Sequence, residues 1–105
     1  MTVLEVLEKA YRLIRPKSHF TKGELARDKN NAPTNPNGRD AVKFCAWGAL
    51  DRIAKKWDLE LLAANALTHA LGDDCIVRVN NSRNGHARIL AGFKRAIKAE
   101  KAKAG

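Results

Sequence analysis

The stretch DAVKFCAWGALDRIAKKWDLELLAANALTHALG, residues 40–72, decides the fold class. Val42, Cys45, Ala46, Ala49, Leu50 and Ile53 recur at three- and four-residue steps, which predicts an amphipathic helix; Asp40 is placed to cap its start. Lys55 and Lys56 suit the negative end of its dipole. A second helix follows almost at once, with Asp58 as its cap, Leu61, Leu62, Asn65, Leu67 and Leu71 along it, and Gly72 as a left-handed C-terminal stop. So short a connection makes the two helices close neighbours at an angle, with Trp57 at the corner.

Working towards the N-terminus, periodicity vanishes between Lys17 and Gly38, and residues 30–38 are almost pure turn chemistry. A long loop at 16–38 is expected, with a short strand possible around Phe20 to Leu25. Before it, Thr2 and Glu5 have the spacing of a capping box, and Val3, Leu4, Leu7, Ala10, Tyr11 and Ile14 form one stripe that Pro16 ends, so a helix is predicted over 3–14.

Working towards the C-terminus, Cys75-Ile76-Val77-Arg78-Val79 is the one β-favouring run, expected as a short strand pairing with the Phe20 region or as extended chain. After the turn at 80–85, Ile89, Leu90, Phe93, Ala96 and Ile97 mark a final helix. The expected fold is therefore mainly α: a compact bundle of about four helices with at most a very short two-stranded β element. The 105 residues form one helical domain ending in a basic frayed tail at 98–105.

Composition bounds function. The chain holds 20 Lys and Arg against 11 acids, a net charge of +9, which favours an anionic partner. That charge is unevenly placed. Residues 83–105 carry seven cations, Arg83, Arg88, Lys94, Arg95, Lys98, Lys101 and Lys103, against Glu100 alone, so +6 of the +9 lies there. On a helix Arg88, Arg95 and Lys98 fall near one line with Lys94 and Lys101 alongside, a stripe suited to a phosphate backbone or an acidic protein surface. The competing reading is a solvated helix whose cations complement its own dipole. Aromatic residues are few, at 6%, so base stacking and sequence readout have little support. No apolar run approaches the roughly 18 to 20 residues needed to span a bilayer, and the start Met1-Thr2-Val3-Leu4-Glu5 lacks the pattern of a signal peptide, so no membrane partner and a cytoplasmic location are expected.

The stretches GELARD at 23–28, FCAWGAL at 44–50 and VNNSRNGHARILAGFKRAI at 79–97 resemble, in order and spacing, the family of small bacterial and phage-associated proteins named domain of unknown function 6197. The resemblance spans roughly residues 3–97. Ala26, Arg27 and Asp28 match its Ala-Arg-Asp triplet, and Phe44, Cys45, Gly48, Ala49 and Leu50 match its aromatic-cysteine helix start. Val79-Asn80-Asn81 stands where Trp-Asn-Asp is usual. The resemblance implies the fold and a bacterial or phage origin, and it brings no activity.

Several polar groups could carry chemistry. Cys45 and His86, both expected near helix starts, could form a nucleophile and base for a cysteine-dependent hydrolase or transferase; a buried thiol on the apolar stripe is the competing reading. His19, Cys45, His69, Cys75 and His86 have ligand chemistry, but no spacing matches a zinc signature, so no metal or other cofactor is expected. Arg27 and Asp28 could pair and pin the long loop, or present the guanidinium to an anion. Asn80, Asn81 and Arg83 read equally as turn residues or as a hydrogen-bonding cluster. The leading expectation is a non-catalytic accessory protein binding nucleic acid without sequence specificity, or an acidic protein, through the final helix. An inhibitor or complex subunit recognised by shape is the remaining alternative, and the oligomeric state has no mark in the sequence.

Overall fold

The computed structural model describes residues 1–104. Helix α1 runs Val3–Ile14, as its periodicity predicts, and its capping box is formed: Thr2 Oγ1 accepts from Glu5 N–H at 3.1 Å while Glu5 Oε1 accepts from Thr2 N–H at 2.9 Å. That bond from the Thr2 amide holds the Glu5 carboxyl below its ordinary range. A short 3-10 turn, Lys17–His19, leads into the loop.

The two-stranded element exists, between partners other than those expected. Strand β1, Ala26–Arg27, pairs antiparallel with β2, Lys43–Phe44, in the register Ala26 to Phe44 and Arg27 to Lys43. The Phe20 region touches the pair through a single parallel bridge to Phe44. Val42 therefore leaves the expected helical stripe; its N–H bonds the Arg27 carbonyl and its side chain is exposed.

Helix α2 spans Ala46–Ala54, and its N-cap is Cys45 rather than Asp40. Asp40 instead accepts the Thr34 hydroxyl at 2.9 Å within the loop. The reason lies in a close crossing of chains. Leu25 carbonyl accepts the Cys45 N–H at 3.1 Å, and a methyl group on Gly48 would lie 1.9 Å from that same carbonyl oxygen. β1 thus reaches the start of α2 only because position 48 lacks a side chain.

Helix α3, Trp57–Ala70, begins at Lys56, which lends it no side-chain cap; Asp58 sits in the first turn, and Trp57 is exposed at the corner. Gly72 follows α3 in the left-handed conformation, φ 75°, as expected. Residues 75–79 are not a strand. Helix α4, Ile76–Asn80, buries Ile76, Val79 and Asn80 at helical spacing, so burial overrides the β preference of the branched side chains. Five helices result where about four are expected, and the last, α5, runs Gly85–Ala104. It continues through 98–104, where a frayed tail is expected; Gly105 lies outside the described residues.

α1 packs on α2 and α5, and α3 packs on α2 and α5, around one core in which Val6, Leu7, Ile14, Leu50, Leu67, Ile89 and Phe93 are fully buried. The Cα radius of gyration is 12.6 Å, close to the ~13 Å of a compact chain of this length. No described helix is long and apolar enough to cross a membrane.

Overpacking a crossing of this kind costs about 1–3 kcal/mol or more. Gly48→Ala is therefore expected to lower unfolding free energy by at least about 2 kcal/mol in urea titration, whereas Glu24→Ala, an exposed change beside Leu25, should fall within about 0.5 kcal/mol.

Candidate functional site

Asn80 is the most connected polar side chain of the interior. It is 2% exposed. Its Oδ1 accepts from Ala46 N–H at 2.8 Å, the first amide of α2, and its Nδ2 donates to Thr21 O at 3.1 Å and to Asn81 Oδ1 at 3.2 Å. Asn81 Oδ1 also accepts Gly23 N–H at 3.0 Å. The two amides that could pass for turn residues thus fasten the loop at 21–23, the start of α2 and the end of α4 to one another. Gly85 permits this packing, since a methyl group there would sit 2.1 Å from the Asn80 carbonyl oxygen.

Cys45 and His86 are not brought together as a nucleophile and base. Cys45 is buried, and its Sγ accepts from Gly48 N–H at 3.2 Å as the cap of α2. Burial pushes its thiol pKa up, against the opposing pull of that amide. His86 donates from Nε2 to Ile14 O at 2.7 Å and packs against Phe20, ring centres 4.6 Å apart. The two residues line different depressions, Cys45 beside Trp47 and Asn80, His86 beside Lys17 and Arg83. Elsewhere, Cys75 is exposed, His69 Nδ1 lies 3.3 Å from Asp73, and His19 Nδ1 lies 3.3 Å from Leu13 O. No three His, Cys, Asp or Glu side chains converge in a metal-binding arrangement among the described residues.

Arg27 and Asp28 do not pair with each other. The guanidinium donates to Thr21 Oγ1 at 2.9 Å, Asn31 O at 3.0 Å and Lys22 O at 3.1 Å, while Asp28 Oδ1 accepts the Asn30 and Ala32 amides at 2.9 and 3.0 Å. Each holds the loop in its own way, and Arg27 spends its donors on protein rather than on a ligand. From the other end, Arg52 Nη1 donates to the Pro36 and Gly38 carbonyls at 3.0 and 2.8 Å, so the long loop is tied at both ends.

The cations of α5 separate onto two sides. Arg95 Nε donates to Ala70 O at 2.9 Å, capping the end of α3, and Arg88 Nη1 turns back to Ser82 Oγ at 3.1 Å. Arg95 therefore leaves the line expected for it beside Lys98, drawn off by the last carbonyls of α3. Lys94, Lys98 and Lys101 instead face α1. There Glu8, Tyr11, Arg12 and Arg15, spaced i, i+3, i+4, i+7, meet Lys94, Ile97, Lys98 and Lys101, spaced alike, across an open groove of about 470 Å³. Five cations line it against the single acid Glu8, whose Oε2 lies 3.9 Å from Lys101 Nζ. Arg12, Arg15, Lys94 and Lys98 form no salt bridge with any described residue. Arg12 and Arg15 are the site residues the sequence reading missed; their one signal was a position flanking the α1 stripe, which has meaning only once α5 is known to lie beside it.

Residues 1–99 match the family described as Family of unknown function (DUF6197). No curated protein and no solved structure matches. The chain belongs to this family.

Removing Asn80 leaves the Ala46 amide and the Thr21 carbonyl without partners in the interior, at about 1–3 kcal/mol for each buried group. Asn80→Ala is expected to lower unfolding free energy by about 3 kcal/mol and to deprotect the amides of residues 21–23 and 46 in hydrogen exchange. In alkylation of the native protein, the exposed Cys75 should be modified first and the buried Cys45 only as fast as the fold opens. Because its folded pKa is raised, Cys45 contributes stability that is intact below the ordinary thiol pKa of about 8.5 and lost as pH rises above it. The urea midpoint should show that alkaline decline, reduced by Cys45→Ser.

Proposed function

We propose that this member of a family of unknown function binds the phosphate backbone of nucleic acid, without sequence specificity, in the groove between α1 and α5. The observation that carries the reading is the pairing of two helical edges that bring Arg12, Arg15, Lys94, Lys98 and Lys101 together around one acid. Guanidinium forks and lysine ammonium groups at this density suit a row of phosphates, and each phosphate neutralised releases condensed counterions. Tyr11, the aromatic residue of the groove, packs against Phe93 with ring centres 6.4 Å apart and is half-buried, which favours backbone contact over base stacking there.

A cysteine-dependent reaction has no comparable support, since Cys45 is occupied as a helix cap and His86 by the Ile14 carbonyl. Acidic protein remains the competing partner because it offers the same charge. Its carboxylates lack the regular spacing of a phosphate backbone, which is what the paired edges of the groove fit.

For the four cations without acidic partners, the slope of log Kobs against log salt for a random duplex is expected near −3.6, at about −0.9 per phosphate. Arg12→Glu/Arg15→Glu/Lys98→Glu should weaken duplex binding by about a hundredfold or more. The triple change Lys29→Glu/Lys56→Glu/Arg78→Glu alters net charge equally outside the groove and should cost less than about tenfold. Equal losses in the two variants, or polyglutamate bound as tightly as duplex, would overturn the assignment.

A further inference from the structure

A second depression lies where α1 ends and α5 begins. It measures about 530 Å³ and is lined by Lys17, Phe20, Thr21, Lys22, Arg83, Asn84, His86 and Ala87. Three cations and no carboxylate line it. This differs from the groove in one respect that matters chemically: where the groove holds Tyr11 alone, it offers two aromatic rings side by side. Phe20 and His86 pack with ring centres 4.6 Å apart, and the imidazole is fixed from behind by its 2.7 Å bond to Ile14 O. The surrounding backbone is equally fixed. Thr21 N–H bonds Phe44 O at 3.0 Å, its carbonyl accepts from Asn80, and its hydroxyl accepts from Arg27. Lys22 Nζ is drawn onto Ser82 O at 2.7 Å, which brings the ammonium to the turn that carries Arg83.

We infer that this depression is a nucleotide site, taking the phosphate of a nucleoside monophosphate unit on Lys17, Lys22 and Arg83 and its base against Phe20 and His86. Its volume lies within the about 300–1,000 Å³ of small-molecule sites. Cation clusters alone would serve any anion; the adjoining rings select a phosphate that carries a flat aromatic group, through stacking worth about 1–3 kcal/mol. Asn84 adds an amide able to meet a base edge. The same chemistry is presented by a free nucleotide and by the phosphorylated end of a strand. Its position next to Arg15, at one end of the groove, would let a strand lying there deliver its terminus. The free-nucleotide arm stands independently of the groove reading, and the strand-end arm rests on it.

The test is a titration of the whole chain, followed by amide chemical shifts, with adenosine monophosphate, adenosine, inorganic phosphate, and a short single strand bearing either a 5′-phosphate or a 5′-hydroxyl. Adenosine monophosphate should shift Thr21, Lys22, Asn84 and His86 and bind at least about tenfold more tightly than adenosine or phosphate. Lys17→Glu/Arg83→Glu should weaken it about tenfold or more, and Phe20→Leu, which keeps the apolar volume, should weaken the nucleotide but not inorganic phosphate. Lys98→Glu, which damages the groove, should retain nucleotide binding. Preference for the 5′-phosphorylated strand over the free nucleotide assigns the site to strand ends, and the reverse order assigns it to free nucleotide. Shifts no larger for the nucleotide than for phosphate, or nucleotide binding unaffected by Lys17→Glu/Arg83→Glu, would overturn the inference whether or not the groove binds duplex.

Discussion

The carboxamide of Asn80 is the constraint on which the rest of this structure depends. A helix leaves its first amides without internal partners, and in the interior these must be met by protein. α2 meets this requirement with two neighbouring groups: Asn80 takes the Ala46 amide, and Cys45 takes that of Gly48. Asn80 faces two ways, so the atom group that begins α2 also binds the Thr21 carbonyl and thereby sets the floor of the loop. The aromatic-cysteine start of α2 and the asparagine turn at the end of α4 are two halves of one device in this chain. The glycines at 48 and 85 are the clearances that let the backbones come close enough to form it. The residues on either side of Asn80 support this device, because Val79 is buried and Asn81 accepts the Gly23 amide.

How much of this was legible in the sequence follows from the range of each interaction. α1 is legible whole because its signals are local: a capping box joining Thr2 to Glu5 and a stripe along one helix. The type of α5 is legible and its full length is not, because lysine and alanine give no apolar stripe beyond Ile97. The run at 75–79 reads as a strand because Ile and Val favour strands when their surroundings are unknown, and here the surroundings decide: Ile76 and Val79 reach the core only as successive turns of a helix. Residue type alone puts the start of α2 five residues early, since Asp40 is a better cap by type than Cys45. No local signal marks a carbonyl from Leu25 occupying the space above Gly48.

The candidate surfaces were legible to a lesser degree. The concentration of positive charge in the last fifth of the chain is real, but a helix in isolation does not reveal which of its cations its neighbours will engage. Arg95 is drawn to the exposed carbonyl end of α3, and Arg88 to Ser82. Those left facing α1 acquire Arg12 and Arg15 from a segment more than half the chain away. Two partial edges, neither distinctive alone, make a groove.

The pairing of α1 with α5 also bears on how the molecule comes into being. α1 packs on both α2 and α5, and the α5 residues that share its core, Ile89 and Phe93 among them, lie some 80 residues further along the chain. Without α5 the core around Leu7 and Ile14 is open on that side, and without Asn80 the first amide of α2 lacks its partner. Contacts between segments so distant in sequence raise contact order and slow the final step of folding, and domains complete themselves only when all their parts have emerged. Until α5 docks, the face of α1 that it covers stays open to other apolar partners.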